Sequence, residues 1–363
     1  MSKKSYLLIM LTALIKTYTV FGKEYSLGLQ IRTELQSSST SSKVGGVGDK
    51  KSSDSRFKLR RFRLDFIGKV NHTSSFRLRI RGDKDGIIDG NGQSQNIELA
   101  YLDYSPIPIL TLRFGKQLTF HGGAEGIDLA LGNLYTISSE ALAAGGFLSM
   151  TGLSIYYLLG KGNTIAFYAG NSTEVDSQLQ DNTHTPRIGM FYKGDFKLGK
   201  TYFSYFSTPK ESRKETEGNG VFAYEKGTDS AVTLSGMGEY KGVGMALTYM
   251  ATTFGKQKIN GIETNDTSLS SLVLCADYKL GPLVPKLKFE SSEQKTEEDS
   301  ESIIKWSKFA VMADFTPEEG GLTYYGAMIN NVKKAGKSVV TKTTTKHILV
   351  GAFLNTSEAL KLN

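Results

Sequence analysis

Between residues 75 and 83 apolar and basic side chains take strict turns: Phe76, Leu78 and Ile80 hold the even positions, Arg77, Arg79 and Arg81 the odd ones. In an extended chain successive side chains point to opposite faces, so the segment reads as a strand with one apolar and one arginine-lined face. A helix would scatter the same residues around its axis. The same period of two recurs along most of the chain. Tyr25, Leu27, Leu29 and Ile31 alternate with Ser26, Gly28, Gln30 and Arg32, and Val243, Met245, Leu247 and Tyr249 alternate with small and hydroxyl residues.

Alternating stretches bounded by Gly, Pro, Asn, Asp or Ser predict strands near 24–36, 57–70, 75–83, 96–104, 109–117, 148–159, 163–170, 187–194, 200–208, 229–240, 243–255, 268–279, 283–293, 303–315, 321–331 and 339–354. In the second of these the parity slips, because Phe57 and Leu59 are odd whereas Phe62, Leu64 and Phe66 are even. A β-bulge near Arg60-Arg61 would restore both faces and turn Arg61, Arg63, Asp65 and Lys69 to one side.

The connections alternate too. Links 37–56, 84–95, 118–147, 171–186, 209–228, 256–267 and 294–302 are long, while "NHTS", "SPIP", "GKGN", "KGDFKLGK", "YKG", "LGP" and "TPEEGG" are short. A soluble sandwich has no reason to gather its long loops at one end; an outer-membrane barrel has short periplasmic turns and long outer loops. A sheet that spans a bilayer must close on itself, since lipid offers its edges no hydrogen bonds. The expectation is an all-β, transmembrane, antiparallel up-and-down barrel of about sixteen strands, with both chain ends periplasmic and a water-filled lumen. Arginine on the lipid face at mid-bilayer costs roughly 2–4 kcal/mol each, which turns Arg77, Arg79 and Arg81 inward.

Composition changes this picture little. The 363 residues are 39% hydrophobic and 10% aromatic, with 39 Gly, which suits β structure. The lone Cys275 excludes an internal disulfide and a thiolate metal cluster. At the start, Lys3 and Lys4 precede the apolar run 6–15, and Val20-Phe21-Gly22 ends in a small residue. That is the form of a secretory signal peptide over 1–22, leaving 23–363 for the barrel, in the outer membrane of a Gram-negative bacterium. No other segment approaches the length of a spanning helix. Without Lys3, Lys4 and Lys16 the net charge falls from +8 to +5.

"RRFRLDFIGKV", "FRLRIRGD", "ELAYLDYSP" and "LTLRFGKQ", in this order over residues 56–120, resemble the N-terminal half of the phosphate-selective porin O and P family. The resemblance implies a sixteen-stranded outer-membrane channel, usually a homotrimer, with an arginine-rich interior that prefers anions. The chain departs from the family at its end, running past "HILVGAFLN" to "TSEALKLN" where members commonly close on a terminal aromatic.

Arg61, Arg63, Lys69, Arg77, Arg79, Arg81, Arg113 and Lys116 crowd into the second, third and fifth strands and are the candidate anion pathway. Arg77, Arg79 and Arg81 are expected to face like charges across the hairpin. The competing reading is that these cations balance the acids Asp65, Asp83, Glu98 and Asp103. In an open pore salt screens charges beyond about 8 Å, so selectivity needs a narrow place. The apolar, Gly-rich link 118–147 would supply one by folding into the lumen; packing over the rim or at a subunit contact is the alternative. "GDKDGIIDGNG" (82–92) lacks the closing Glu of a calcium loop. His72, His121, His184 and His347 are scattered, and no hydrolase or zinc motif occurs, so no catalytic residue, metal or cofactor is expected. Export makes nucleic acid an unsuitable partner for the positive charge. The function expected is a passive, anion-preferring porin in contact with outer-membrane lipid; the alternative is a non-conducting adhesive barrel displaying loops 37–56 and 209–228.

Overall fold

The computed structural model describes residues 25–45, 47–82, 97–119, 121–124, 149–172, 186–210, 227–255, 257–259, 262–264, 266–296, 303–317, 322–336, 340–356 and 361–362. The expected signal peptide, the polar link 83–96, and residues 120 and 125–148 of the expected lumen loop lie outside them.

Sixteen long strands form one antiparallel sheet: β1 (Tyr25–Val44), β2 (Val47–Lys69), β3 (Ser74–Arg81), β4 (Ile97–Ile107), β5 (Leu110–Leu118), β6 (Ser149–Gly160), β7 (Asn163–Ser172), β8 (Arg187–Phe196), β9 (Gly199–Lys210), β10 (Gly227–Tyr240), β11 (Val243–Phe254), β14 (Thr267–Tyr278), β15 (Leu283–Thr296), β16 (Ile304–Phe315), β17 (Leu322–Ala335) and β18 (Thr341–Asn355). A small hairpin, β12 (Gln257–Ile259) with β13 (Ile262–Thr264), sits on the link between β11 and β14. Each long strand pairs with its sequence neighbours, and β18 pairs with β1 from Gln30↔Asn355 to Val44↔Thr341, closing the barrel. The strand count and order are those the alternation predicts.

The atypical C-terminus belongs to the same seam. β19 (Lys361–Leu362) pairs with Tyr25 and Ser26, the part of β1 that β18 leaves open. The last residues therefore complete the closure that β18 begins.

Two of the short turns show why they are short. Tyr240 pairs with Val243 across Lys241-Gly242, and both turn residues have positive φ, 49° and 80°. The β6–β7 turn repeats this with Lys161 at 51° and Gly162 at 80°. Positive φ at both central residues matches the twist of a two-residue hairpin, and glycine adopts it without strain.

One expectation fails. The segment 37–56 is not a loop: β1 runs on to Val44 and β2 resumes at Val47, so the hairpin continues far beyond the apolar band. Its sequence hides this because neither face meets lipid tails or a core, so both faces are polar and the alternation vanishes. Backbone pairing with β2 on one side and β18 on the other holds the strand instead. Hydroxyl pairs add to it: Thr40 with Thr345 and Ser42 with Thr343, each at 3.2 Å.

The apolar residues sort as a bilayer demands. Large side chains such as Phe114, Ile155, Phe167, Leu234, Leu247, Leu274, Phe289, Val311 and Ile348 are exposed on the outside of the wall. No helix among the described residues is long and apolar enough to cross a membrane; the crossing is made by strands.

Candidate functional site

The arginine wall is built by two register shifts. In the β1–β2 ladder Arg32 pairs with Arg61 but Thr33 pairs with Leu59, so Arg60 is the extra residue of a bulge, as the parity slip predicts. Arg61, Arg63, Asp65, Ile67 and Lys69 then share the lumen face, with Lys69 exposed at its short-turn end. In the β3–β4 ladder Arg79 pairs with Leu99 and Ile80 with Ile97, leaving Glu98 as a second extra residue. That bulge turns the Glu98 carboxylate toward the arginines. The sequence carried its signal in a second parity slip, from the odd Ile97 to the even Ala100 and Leu102.

Three carboxylates hold this wall together. Asp65 accepts from Arg77 Nε (2.8 Å) and Nη2 (2.5 Å) and from Arg79 Nε (3.0 Å) and Nη2 (2.6 Å). Glu98 accepts from Arg63 and lies 3.7 Å from both Arg79 Nη1 and Arg81 Nη1. Glu34 accepts from Arg60 and, at 3.3 Å, from Arg32 Nη2. Among the described residues, seven guanidinium groups (Arg32, Arg60, Arg61, Arg63, Arg77, Arg79 and Arg81) thus stand around three acids. Among the described residues, the buried Arg61 Nη1 and Arg63 Nε have no hydrogen-bond partner.

The expectation that each of Arg77, Arg79 and Arg81 faces a like charge is right for one of them. Arg81 is opposite Arg63, but Arg79 is opposite Asp65 and Arg77 opposite Ile67. The acid is placed by the same alternation that places the arginines, which the charge pattern alone did not reveal. Arg113 is separately balanced. It forms a two-pronged pair with Asp103 at 2.7 and 2.8 Å, donates to the Tyr156 hydroxyl at 3.0 Å, and lies over the rings of Tyr101 and Tyr156. Lys116 is not on this face. Its register partners are Ala100 and Thr151, and it shares its parity with Phe114 and Leu118, on the outside of β5.

Tyr325 ties the seam to the wall. Its hydroxyl accepts from Arg32 Nε and donates to Glu34 Oε2, both at 2.9 Å, by crossing β18 over Gly351. A Cβ on Gly351 would lie 2.5 Å from the tyrosine ring, so only glycine lets the ring pass.

Across the lumen the chain that leaves β5 meets β10. Gly122 N donates to Thr233 Oγ1 at 3.3 Å, Ala124 N to Ser235 Oγ at 3.0 Å, and the His121 ring stands edge-on to Phe206. Of the expected lumen loop, residues 121–124 are thus buried against the inner face of the far wall. Around them Tyr202, Phe206, Met250 and Val273 are buried. Side chains on the arginine wall keep access: 28% for Arg77, 23% for Arg81 and 20% for Arg113.

A second charged cluster, on β15 and β16, was not anticipated. Lys286 pairs with Asp314, and Lys308 with Glu290 at 3.3 Å, all buried. "KLKFE" (286–290) has the same alternation as "FRLRIR" and could have been read the same way.

Comparison with solved structures places this barrel among outer-membrane barrels. OmpT of Vibrio cholerae superposes with a TM-score of 0.63 at 11% identity, covering 91% of this chain and 97% of that one. The anion-selective porin of Comamonas acidovorans gives 0.62 at 13%, with 91% and 99% coverage. The outer-membrane channel DcaP of Acinetobacter baumannii gives 0.61 at 13%, with 90% and 96%. No curated relative matches the sequence. Residues 30–219, more than half of the chain and the part that builds the arginine wall, match the family described as phosphate-selective porin O and P; the chain belongs to that family, as an outer-membrane porin of a Gram-negative bacterium.

Proposed function

We propose that this porin is a passive channel that prefers small anions, phosphate-like or carboxylate, along the row Arg61, Arg63, Arg77, Arg79 and Arg81, with Lys69 at the periplasmic mouth. The observation that carries the reading is the excess of guanidinium over carboxylate among the described residues of one lumen wall, where Arg77 and Arg81 keep access to the lumen. Each acid is shared by two or three arginines, so the described residues of the wall keep a net positive charge after every pair is formed. The exposed parts of Arg77 and Arg81 supply the donors that a passing anion can reach. Guanidinium forks suit the oxygens of phosphate and carboxylate.

The segment that follows β5 narrows the path by holding to β10, which brings a passing ion within range of the wall before salt screens it. The barrel acts without chemistry on its solutes, so no enzymatic activity is assigned. OmpT of Vibrio cholerae is known in a trimer form, and we assign this chain the same assembly. A reversal-potential measurement on single channels under a salt gradient tests the reading. A potential of anion sign, shrinking as ionic strength rises, is expected; a potential at or beyond zero on the cation side overturns it.

A further inference from the structure

Four neighbouring strands carry lysine at one register on the outside of the wall. Lys305 of β16 is opposite Lys334 of β17, Lys334 is opposite Lys342 of β18, and Lys342 is opposite Lys43 of β1. Parity fixes the face. Lys305 falls in line with the exposed Phe309 and Val311, Lys334 with Met328, Lys342 with Ile348 and Val350, and Lys43 with Leu35. Lys346 lies on the same face, nearer the apolar band, opposite Asn330 and Ser39.

Like charges directly opposite one another destabilise a sheet. At the end of the row stands Glu293 of β15, opposite Lys305 and 3.3 Å from its Nζ, with Lys295 Nζ at 3.4 Å. Burial works against that carboxylate, but the two ammonium groups together outweigh it and hold its pKa below the usual range. Among the described residues, no acid forms an ion pair with Lys334, Lys342 or Lys346. Between the lysines and the apolar band the same face carries hydroxyls: Ser37, Ser39, Ser41, Thr344, Ser53 and Ser55.

Height matters as much as charge. A strand tilted near 40° rises about 2.5 Å per residue along the bilayer normal, which puts Lys346 about 5 Å and Lys342 about 15 Å beyond Ile348, the last apolar residue on the outer face of β18. Those are the levels of headgroup phosphates and of the sugars above them. We propose that this outward face binds the phosphorylated headgroup of an outer-leaflet glycolipid, with lysines on its phosphates and the hydroxyl rows beside its sugars. An anion bridging the row removes the repulsion, and the extended hairpin gives the sugars a wall to stand against. The inference rests on the barrel's place in the outer membrane and is independent of what the lumen conducts.

The test uses the full-length protein in neutral detergent with bis-phosphorylated lipid A, and separately with lipid A stripped of its phosphates. Glycolipid bound per barrel is read by native mass spectrometry, for the parent and for the Lys334→Gln, Lys342→Gln, Lys346→Gln triple variant. Expected are retention of the phosphorylated form by the parent, a loss of affinity of about tenfold or more in the variant, and unchanged channel conductance. The corresponding Lys→Arg triple variant should retain binding, and Glu293→Gln should strengthen it. Equal binding by parent and Gln variant, or equal binding of the dephosphorylated form, overturns the proposal. So does a Gln variant that binds normally but loses its oligomer, which would mark the face as a subunit contact.

Discussion

Arg81 stands directly opposite Arg63 across the β2–β3 ladder, and the Glu98 carboxylate reaches both, bonded to Arg63 and 3.7 Å from Arg81. One acid thus serves two opposed cations and a third, Arg79. The arrangement holds its charges in place without cancelling them. Removing arginines and removing the acid should therefore have opposite effects on selectivity.

Arg61→Gln with Arg81→Gln removes two charges while Glu98 keeps Arg63 and Arg79. The barrel is expected to fold, since no lipid-facing residue changes. The reversal potential should move toward zero, with the largest effect at low salt, where the Debye length is longest. A double variant with the parent's potential would make these arginines scaffold charges.

Glu98→Gln should do the reverse. It leaves Arg63, Arg79 and Arg81 with one fewer carboxylate in a mostly buried cluster, at a cost on the order of 3 kcal/mol. The expected outcome is a lower unfolding midpoint in detergent together with a stronger anion preference. A variant that is less stable but no more anion-selective would separate the acid's structural role from the permeation path.

Tyr325→Phe tests the seam. Its hydroxyl is both acceptor for Arg32 and donor to Glu34, so its loss should cost about 1–2 kcal/mol. Gly351→Val should cost more, because the added Cβ falls 2.5 Å from the ring and 2.4 Å from the Thr33 carbonyl oxygen. Thermal unfolding of the folded barrel measures both; the reverse order would refute the packing argument.

Orientation can be read with thiol labels. Cys275 is buried, so the parent gives little background. A Gly45→Cys variant, at the tip of the extended hairpin, should react with an impermeant maleimide on intact cells, and Gly281→Cys, in a short turn, should not. The opposite pattern would invert the barrel.

Much of this architecture was legible because lipid and water impose a period of two on every strand. Phe76, Leu78 and Ile80 against Arg77, Arg79 and Arg81 gave a strand, its faces and its environment at once. The Arg60 bulge was legible for the same reason, since a slip in parity is visible wherever one face is apolar. Residues 37–56 were not, because Ser and Lys on both faces leave no parity to read, and only pairing with β2 and β18 makes them a strand. Lys116 was misplaced by charge: its parity with Phe114 puts it outside, where its height near the end of β5 tolerates a cation. The placement of Asp65 opposite Arg79 needed the register, which alternation alone does not set.

The segment after β5 provides a last test. Gly122 and Ala124 are held to the far wall through Thr233 and Ser235, whose own strand is secured on both sides by β9 and β11. Thr233→Val with Ser235→Ala removes both acceptors and leaves the β10 backbone ladder intact. With the contact of Thr233 Oγ1 to His121 Nδ1 at 3.2 Å, three hydrogen bonds at about 1 kcal/mol each correspond to a shift of roughly 150-fold toward the detached segment. If this segment narrows the channel, single-channel conductance should rise and the open current should become noisier, while the unfolding midpoint of the barrel changes little. A double variant with the parent's conductance and noise would show that the path is set elsewhere, by the arginine wall alone.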